Sequence, residues 1–203
     1  MNRQQIEAAL GLAVVDVSPL SGGCIGQVFR LRLADGTRVV AKVDDRPDSQ
    51  LAREGEMLSY LAAHSQLPVP AVLHQENGLL LLEFLPGESH FSAQAQAHAA
   101  ELLAALHQVT APAFGLDMAT LIGGLHQPNP WTDSWLAFFR EQRLLYMGQE
   151  GVRSGRLPTA VFHRLTELCE HLDNWLEEPE RPSLIHGDVW TTNVLAVGDR
   201  ITG

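Results

Sequence analysis

Positive charge is scarce in this chain. Its 203 residues hold 14 lysines and arginines against 24 aspartates and glutamates, a formal charge of −10. A nucleic-acid backbone demands a basic face, so that class of partner is excluded. Cysteine is scarcer still, with Cys24 and Cys169 alone in the chain. The two lack metal-ligand spacing and build no disulfide framework, which points to a reducing, cytoplasmic setting. No apolar run is long enough to span a membrane, so no membrane partner is expected. The first ten residues read as a short amphipathic helix rather than an apolar leader. Repeats and low-complexity segments are absent too. What remains is an acidic chain, 45% hydrophobic and long enough to bury a core.

Against that background one stretch stands out near the C-terminus: Leu184-Ile185-His186-Gly187-Asp188-Val189-Trp190-Thr191-Thr192-Asn193-Val194-Leu195. It is a polar loop held between apolar, strand-like runs. An aspartate followed five positions later by an asparagine is the catalytic-loop spacing of kinases. There the aspartate takes the proton of an acceptor hydroxyl, and the asparagine carbonyl holds a metal on ATP. Asp188 and Asn193 are therefore the candidate base and metal ligand, and Mg²⁺ the expected ion. His186 braces the loop by hydrogen bonding. Trp190 either stacks on an acceptor or packs.

Other kinase parts precede it in order. Residues 18–31 read as strand, glycine-rich turn, strand, with Gly22, Gly23 and Gly26 in the turn. Glycine lets backbone approach phosphate oxygens without a Cβ clash. A strand after the turn favours a flap over phosphates, not a dinucleotide-binding turn that opens a helix. Asp35-Gly36 signals a second hairpin. The next strand ends Val40-Ala41-Lys42-Val43, with Lys42 placed to grip the α/β-phosphates. Residues 49–64 have helical spacing and offer Glu54 as the partner of Lys42, with Glu56 in reserve. The strands 71–73 and 79–84 lead to an extended connector. Main-chain groups of Glu83 and Leu85 there are the candidates for reading adenine.

With these parts the chain resembles the fructosamine (ketosamine) kinase family, within the aminoglycoside-phosphotransferase and protein-kinase-like group. The match is carried by Gly22-Gly23-Cys24-Ile25, Lys42, Arg53-Glu54-Gly55-Glu56 and the 186–193 loop. The segments Leu106-His107-Gln108-Val109-Thr110, Phe114-Gly115-Leu116, 128–135 and 138–143 add to it. The resemblance implies ATP-dependent phosphorylation of a sugar hydroxyl on a ketoamine, borne by a small amine or a protein lysine. Such a glycated amine or protein is then the substrate partner. Two alternatives stay open: another small-molecule kinase of the aminoglycoside or choline type, and a non-catalytic nucleotide-binding fragment. The family pattern continues past the asparagine to an Ile-Asp-Pro-Ala segment with a second metal aspartate. This chain stops before that point, so a truncated C-terminal lobe, inactive as it stands, is expected. Cys24, in the glycine-rich loop, is a candidate oxidation-sensitive position.

The expected fold is α+β and two-lobed. Residues 1–87 form an antiparallel-sheet, ATP-binding lobe, and residues 88–203 a mainly helical lobe carrying the catalytic loop. Helices are expected over 92–108, 131–147 and 159–178, with Leu165, Leu168, Leu172 and Trp175 among their core stripes. Residues 111–130 read as a long ordered loop beside the acceptor. A last hairpin turns at Gly198-Asp199. The sequence fixes no oligomeric state.

Overall fold

The structure, a computed structural model, describes residues 2–20 and 26–203. By its internal contacts the chain divides into two compact units, residues 1–109 with 185–203, and residues 110–184. The segment after residue 87 thus contributes to both.

The first unit is built on a five-stranded sheet in the order β1-β2-β3-β5-β4. The strands are β1 (Val14–Pro19), β2 (Gln27–Leu33), β3 (Arg38–Val43), β4 (Val72–Glu76) and β5 (Leu79–Glu83), and every pairing is antiparallel. The Asp35-Gly36 hairpin forms as the sequence predicts. Asp35 accepts hydrogen bonds from the Thr37 amide and hydroxyl, both at 2.9 Å, and Gly36 takes φ +88°.

The side-chain period of two sorts β3 between its faces. Val39, Ala41 and Val43 join Ile6 of α1 (Arg3–Leu10), Val14, Leu31, Leu33, Leu79 and Leu81 in one core layer. Val40 lies on the opposite face, in a second layer with Leu51, Leu80 and Leu82 under α2 (Leu51–His64). Because both faces of β5 are covered, Leu79 to Leu82 are all buried. Each such fully buried side chain stabilises the fold by about 1.5–3 kcal/mol before entropy is counted. Lys42 shares the Val40 face, so β3 aims it toward α2.

α2 starts two residues later than the spacing predicts. Ser49 is drawn off instead, its hydroxyl donating to the Asn77 carbonyl and its amide to the Arg46 carbonyl at 3.1 Å. Gly55, in the middle of α2, explains how near the helix lies to the sheet. A Cβ there would sit 3.0 Å from Leu80 Cδ1 and 3.1 Å from Gln75 Cβ. Close approach accounts for a residue that costs about 1 kcal/mol of helix propensity.

α3 (Ala93–His107) packs on the final hairpin, β8 (Ala196–Val197) with β9 (Arg200–Ile201). Ala95, Ala196 and Ile201 form their shared core. Ser92 caps α3 by accepting from the Ala95 amide, and its hydroxyl donates to Asp199 at 2.6 Å. His98 Nδ1 accepts from the Ile201 amide at 3.0 Å. Glu88 exchanges a pair of 3.0 Å backbone bonds with Ala196, tying the connector after β5 to the same hairpin. α3 and this hairpin thus anchor the segment that runs out of residues 186–193.

The second unit departs further from expectation. Residues 111–130 are not all loop, since β6 (Thr120–Ile122) pairs with β7 (Leu125–Gln127). The 131–147 helix begins only at Trp135, where Ser134 caps α4 (Trp135–Phe139). Residues before it are extended and bridged, Thr132 against Phe114. A π-helical turn, Arg140–Leu145, joins α4 to α5 (Tyr146–Arg153). α6 (Thr159–Cys169) ends nine residues short of the expected 178, followed by a 3₁₀ turn at Leu172–Asn174. Its stripe is only partly core. Leu172 is buried, but Leu168 is 44% and Trp175 74% exposed. The break after Cys169 takes Trp175 off the helical period that would have carried it inward.

Candidate active site

Four predicted side chains form two pairs, both within the first unit. Lys42 Nζ is ion-paired with Glu54 Oε1, two half-buried groups. Glu54 lies in the first turn of α2, where a carboxylate also complements the helix dipole. The reserve, Glu56, points elsewhere and binds Arg53 at 2.5 Å. The structure thus separates the two glutamates that the sequence left as alternatives. Lys42 is also the only lysine in the chain, every other basic residue of the Lys/Arg set being arginine. That count was a signal of its own. Arginine meets every surface need here, yet at this position a compact point charge stands.

The second pair closes the 186–193 loop. Asn193 Nδ2 donates to the Asp188 carbonyl at 3.1 Å and to Asp188 Oδ2 at 2.7 Å. Both side chains are exposed. The turn is set by a 3₁₀ segment, Thr191–Asn193, whose Asn193 amide donates to the Trp190 carbonyl at 2.9 Å. With its nitrogen so bound, Asn193 keeps its amide oxygen, a hard ligand atom, as its remaining side-chain acceptor. His186 Nδ1 accepts from the Asp188 amide at 3.3 Å. Burial pushes the imidazole below its ordinary pKa, and the Asp188 charge offsets this only in part. A neutral ring is what this hydrogen bond requires, since Nδ1 must accept. His186 is thus hydrogen-bonded to the backbone of Asp188. Trp190, for which the sequence leaves stacking and packing open, is 53% exposed.

Gly26 closes the entry to β2 with φ +73°, and a Cβ there would lie 2.6 Å from the Val43 carbonyl oxygen. Gly22, Gly23 and Cys24 lie outside the described residues. The other cysteine, Cys169, is buried, and burial raises its thiol pKa. Glu83 ends β5, and its amide donates to the Ala71 carbonyl at 2.9 Å. Its carboxylate accepts from the Ala71 amide at 3.3 Å. Leu85 follows, half-buried, after Phe84, whose ring lies under the Arg38 guanidinium at 4.3 Å. Among the described residues no group of three or more histidines, cysteines or carboxylates forms a metal cage. Nor is any helix among them long and apolar enough to cross a membrane.

The sequence reading missed a buried charge beside this face. Asp44, directly after β3, takes a bidentate pair from Arg46 at 2.8 Å, and the guanidinium holds its carboxyl down to about 2. Asp-Asp-Arg in a turn reads as a solvated charge run, and only the fold shows that Asp44 is buried.

The chain is 32% identical to a protein of Synechocystis named a probable ketoamine kinase, over 98% of the chain and 69% of that protein. It superposes on the crystal structure of a fructosamine-3-kinase-like protein from Thermobifida fusca with TM-score 0.83 and 27% identity, covering 98% of this chain and 70% of that one. A macrolide 2'-phosphotransferase from Brachybacterium faecium shares the fold alone, with TM-score 0.59 and 21% identity over 98% of this chain and 68% of that one. The fold is accordingly α+β and protein-kinase-like. The fructosamine kinase model matches residues 2–201, and the chain belongs to the fructosamine kinase family.

Proposed function

We propose that this protein transfers a phosphoryl group from ATP to a sugar hydroxyl of a ketoamine, the amine being a free amine or a protein lysine. The observation that carries the reading is the Lys42–Glu54 and Asp188–Asn193 pairs, present together in one unit of a fructosamine kinase family chain. In it residues 1–87 hold the nucleotide and 88–203 supply the catalytic loop. Lys42, held by Glu54, fixes the α/β-phosphates under the glycine-rich segment that contains Gly22, Gly23 and Gly26. The Glu83 carbonyl and Leu85 amide hold adenine. Asp188 orients the acceptor hydroxyl and takes its proton, and His186 keeps the Asp188 backbone in place.

Mg²⁺ fits the donor set. Asn193 would hold the ion through its amide oxygen, a hard ligand of the kind Mg²⁺ takes. Bound there, Mg²⁺ would supply positive charge against the transferring phosphoryl group. An enzyme of this kind works in the cytoplasm, where ATP and glycated amines meet.

The test is an acceptor panel run with protein expressed from its complete reading frame. Nε-glycated lysine, a glycated protein, an aminoglycoside and choline are each offered with Mg-ATP. Phosphate should appear on the ketoamine sugar with the highest kcat/KM. Preference for the aminoglycoside or choline would replace the ketoamine by another alcohol, and no transfer to any acceptor would leave nucleotide binding alone.

A further inference from the structure

The connector after β5 is tied to the stretch that leaves residues 186–193 at three points, all within the first unit. Glu88 and Ala196 exchange their pair of backbone bonds. To one side of that pair, Ser89 Oγ donates to the Val194 carbonyl at 3.2 Å. To the other, Thr202 Oγ1 donates to the Pro86 carbonyl at 2.7 Å, joining residues 116 positions apart. The Leu195 carbonyl also lies near that hydroxyl, at 3.3 Å, but it already accepts from the Thr202 amide at 2.9 Å. The single hydroxyl proton therefore goes to Pro86.

Gly87 shows how closely the two stretches meet. It takes φ +147°, and a Cβ on it would lie 2.9 Å from both Leu195 Cβ and Thr202 Oγ1. Only glycine combines that backbone with that approach. A Cβ on Gly203 would likewise fall 2.6 Å from Leu85 Cδ1. The β8–β9 hairpin is held from its far edge as well, where His98 accepts from the Ile201 amide.

The ties begin where the two functional stretches end. Pro86 directly follows Leu85, whose amide is the candidate for adenine, and Val194 directly follows Asn193, the candidate for the metal. A residue before proline is confined to extended backbone, so the Leu85 peptide has little freedom of its own. Its place is set by where Pro86 is held. Pro86 is exposed, and water would satisfy its carbonyl without Thr202. What the Thr202 bond adds is geometry.

We infer that Thr202 is a positioning residue that latches the base-binding connector to the strand leaving the catalytic loop, so that both ends of a bound nucleotide are set by one rigid piece. This rests on the ATP-dependent reading above. Thr202 touches no ligand and acts through Pro86.

The experiment uses protein from the complete reading frame and adenosine, which in this reading is held by the connector alone. Amide hydrogen exchange followed by mass spectrometry should show adenosine slowing exchange in wild-type residues 83–89 and also in 194–203. In Thr202→Val the protection of 83–89 should persist and that of 194–203 should shrink. For ketoamine phosphorylation at saturating Mg-ATP, kcat of Thr202→Val should fall roughly tenfold, the cost of slightly misplaced reacting groups. Its Kd for adenosine should stay within about twofold of wild type, because the base contacts are untouched. Thr202→Ser keeps the hydroxyl and should restore kcat. The wild-type exchange comparison stands even if Thr202→Val does not fold. Protection confined to 83–89 in wild type overturns the latch. So does a normal kcat in Thr202→Val, a loss that Thr202→Ser shares in full, or a rise in adenosine Kd as large as the fall in kcat. Adenosine that protects neither stretch refutes the adenine reading of the connector, and the latch with it.

Discussion

Lys42 on β3 and Glu54 on α2 are joined because a strand face and a helix face meet at them. The alternation of β3 turns Lys42 toward α2, and Gly55 lets α2 come near enough for Glu54 to reach it. The pair should behave as one energetic unit. Lys42→Ala and Glu54→Ala should each lower kcat/KM by roughly 10²-fold, and the double variant should be little worse than the poorer single one. Additive losses in steady-state kinetics would show that the two act separately. Glu56→Ala, which breaks only the pair with Arg53, should leave turnover near wild type.

The lysine count supplies an independent check. Because Lys42 is the sole lysine, an amine-acylating reagent has one side-chain target. Mass spectrometry should find Lys42 modified in the free protein and protected by Mg-ATP. Labelling at the same rate with and without nucleotide would remove Lys42 from the phosphate site.

Gly55→Ala tests the close approach. On an open helix face the change would stabilise by about 1 kcal/mol through propensity. Here the added methyl meets Leu80 and Gln75, and the overpacking should outweigh that gain. Tm should fall, and kcat/KM with it as Glu54 is levered off Lys42. A higher Tm with unchanged activity would mean that the helix has room to spare.

The Asp44–Arg46 pair predicts the acid limb of stability. A carboxyl depressed to about 2 in the folded chain contributes stability that is fully present above its ordinary value near 3.8. That contribution is lost as pH falls through the folded value. Arg46→Met removes the cause of the depression, so acid unfolding followed by circular dichroism should begin at higher pH in the variant. Superimposable acid transitions would show that the guanidinium contributes nothing to folding at low pH.

The site was legible in the sequence where chemistry imposes a spacing. Asp188 and Asn193 need one short loop, and Lys42 needs a strand end, so both appear as local patterns. The antiparallel sheet of this unit was likewise visible in its strand-like runs and in the Asp35-Gly36 turn. The sequence offers Glu54 as the partner of Lys42 with Glu56 in reserve, and the pair forms with Glu54; the helix phase that separates the two comes from packing against Leu80. The second unit was harder still. Nothing local announces the π turn at Arg140–Leu145 or the end of α6 at Cys169, since the apolar spacing runs on through Leu172 and Trp175. The β6–β7 hairpin is three residues per strand, too short for alternation to mark.

The central claim is that Asp188 takes the acceptor proton while the nucleotide is held by other groups. Asp188→Asn, in protein from the complete reading frame, tests it with two numbers, kcat for a ketoamine and Kd for Mg-ATP. The variant should lose roughly 10³-fold or more in kcat, with Kd for Mg-ATP within about threefold of wild type, because uniform binding is untouched. A variant that turns over at a near-normal rate would contradict the assignment.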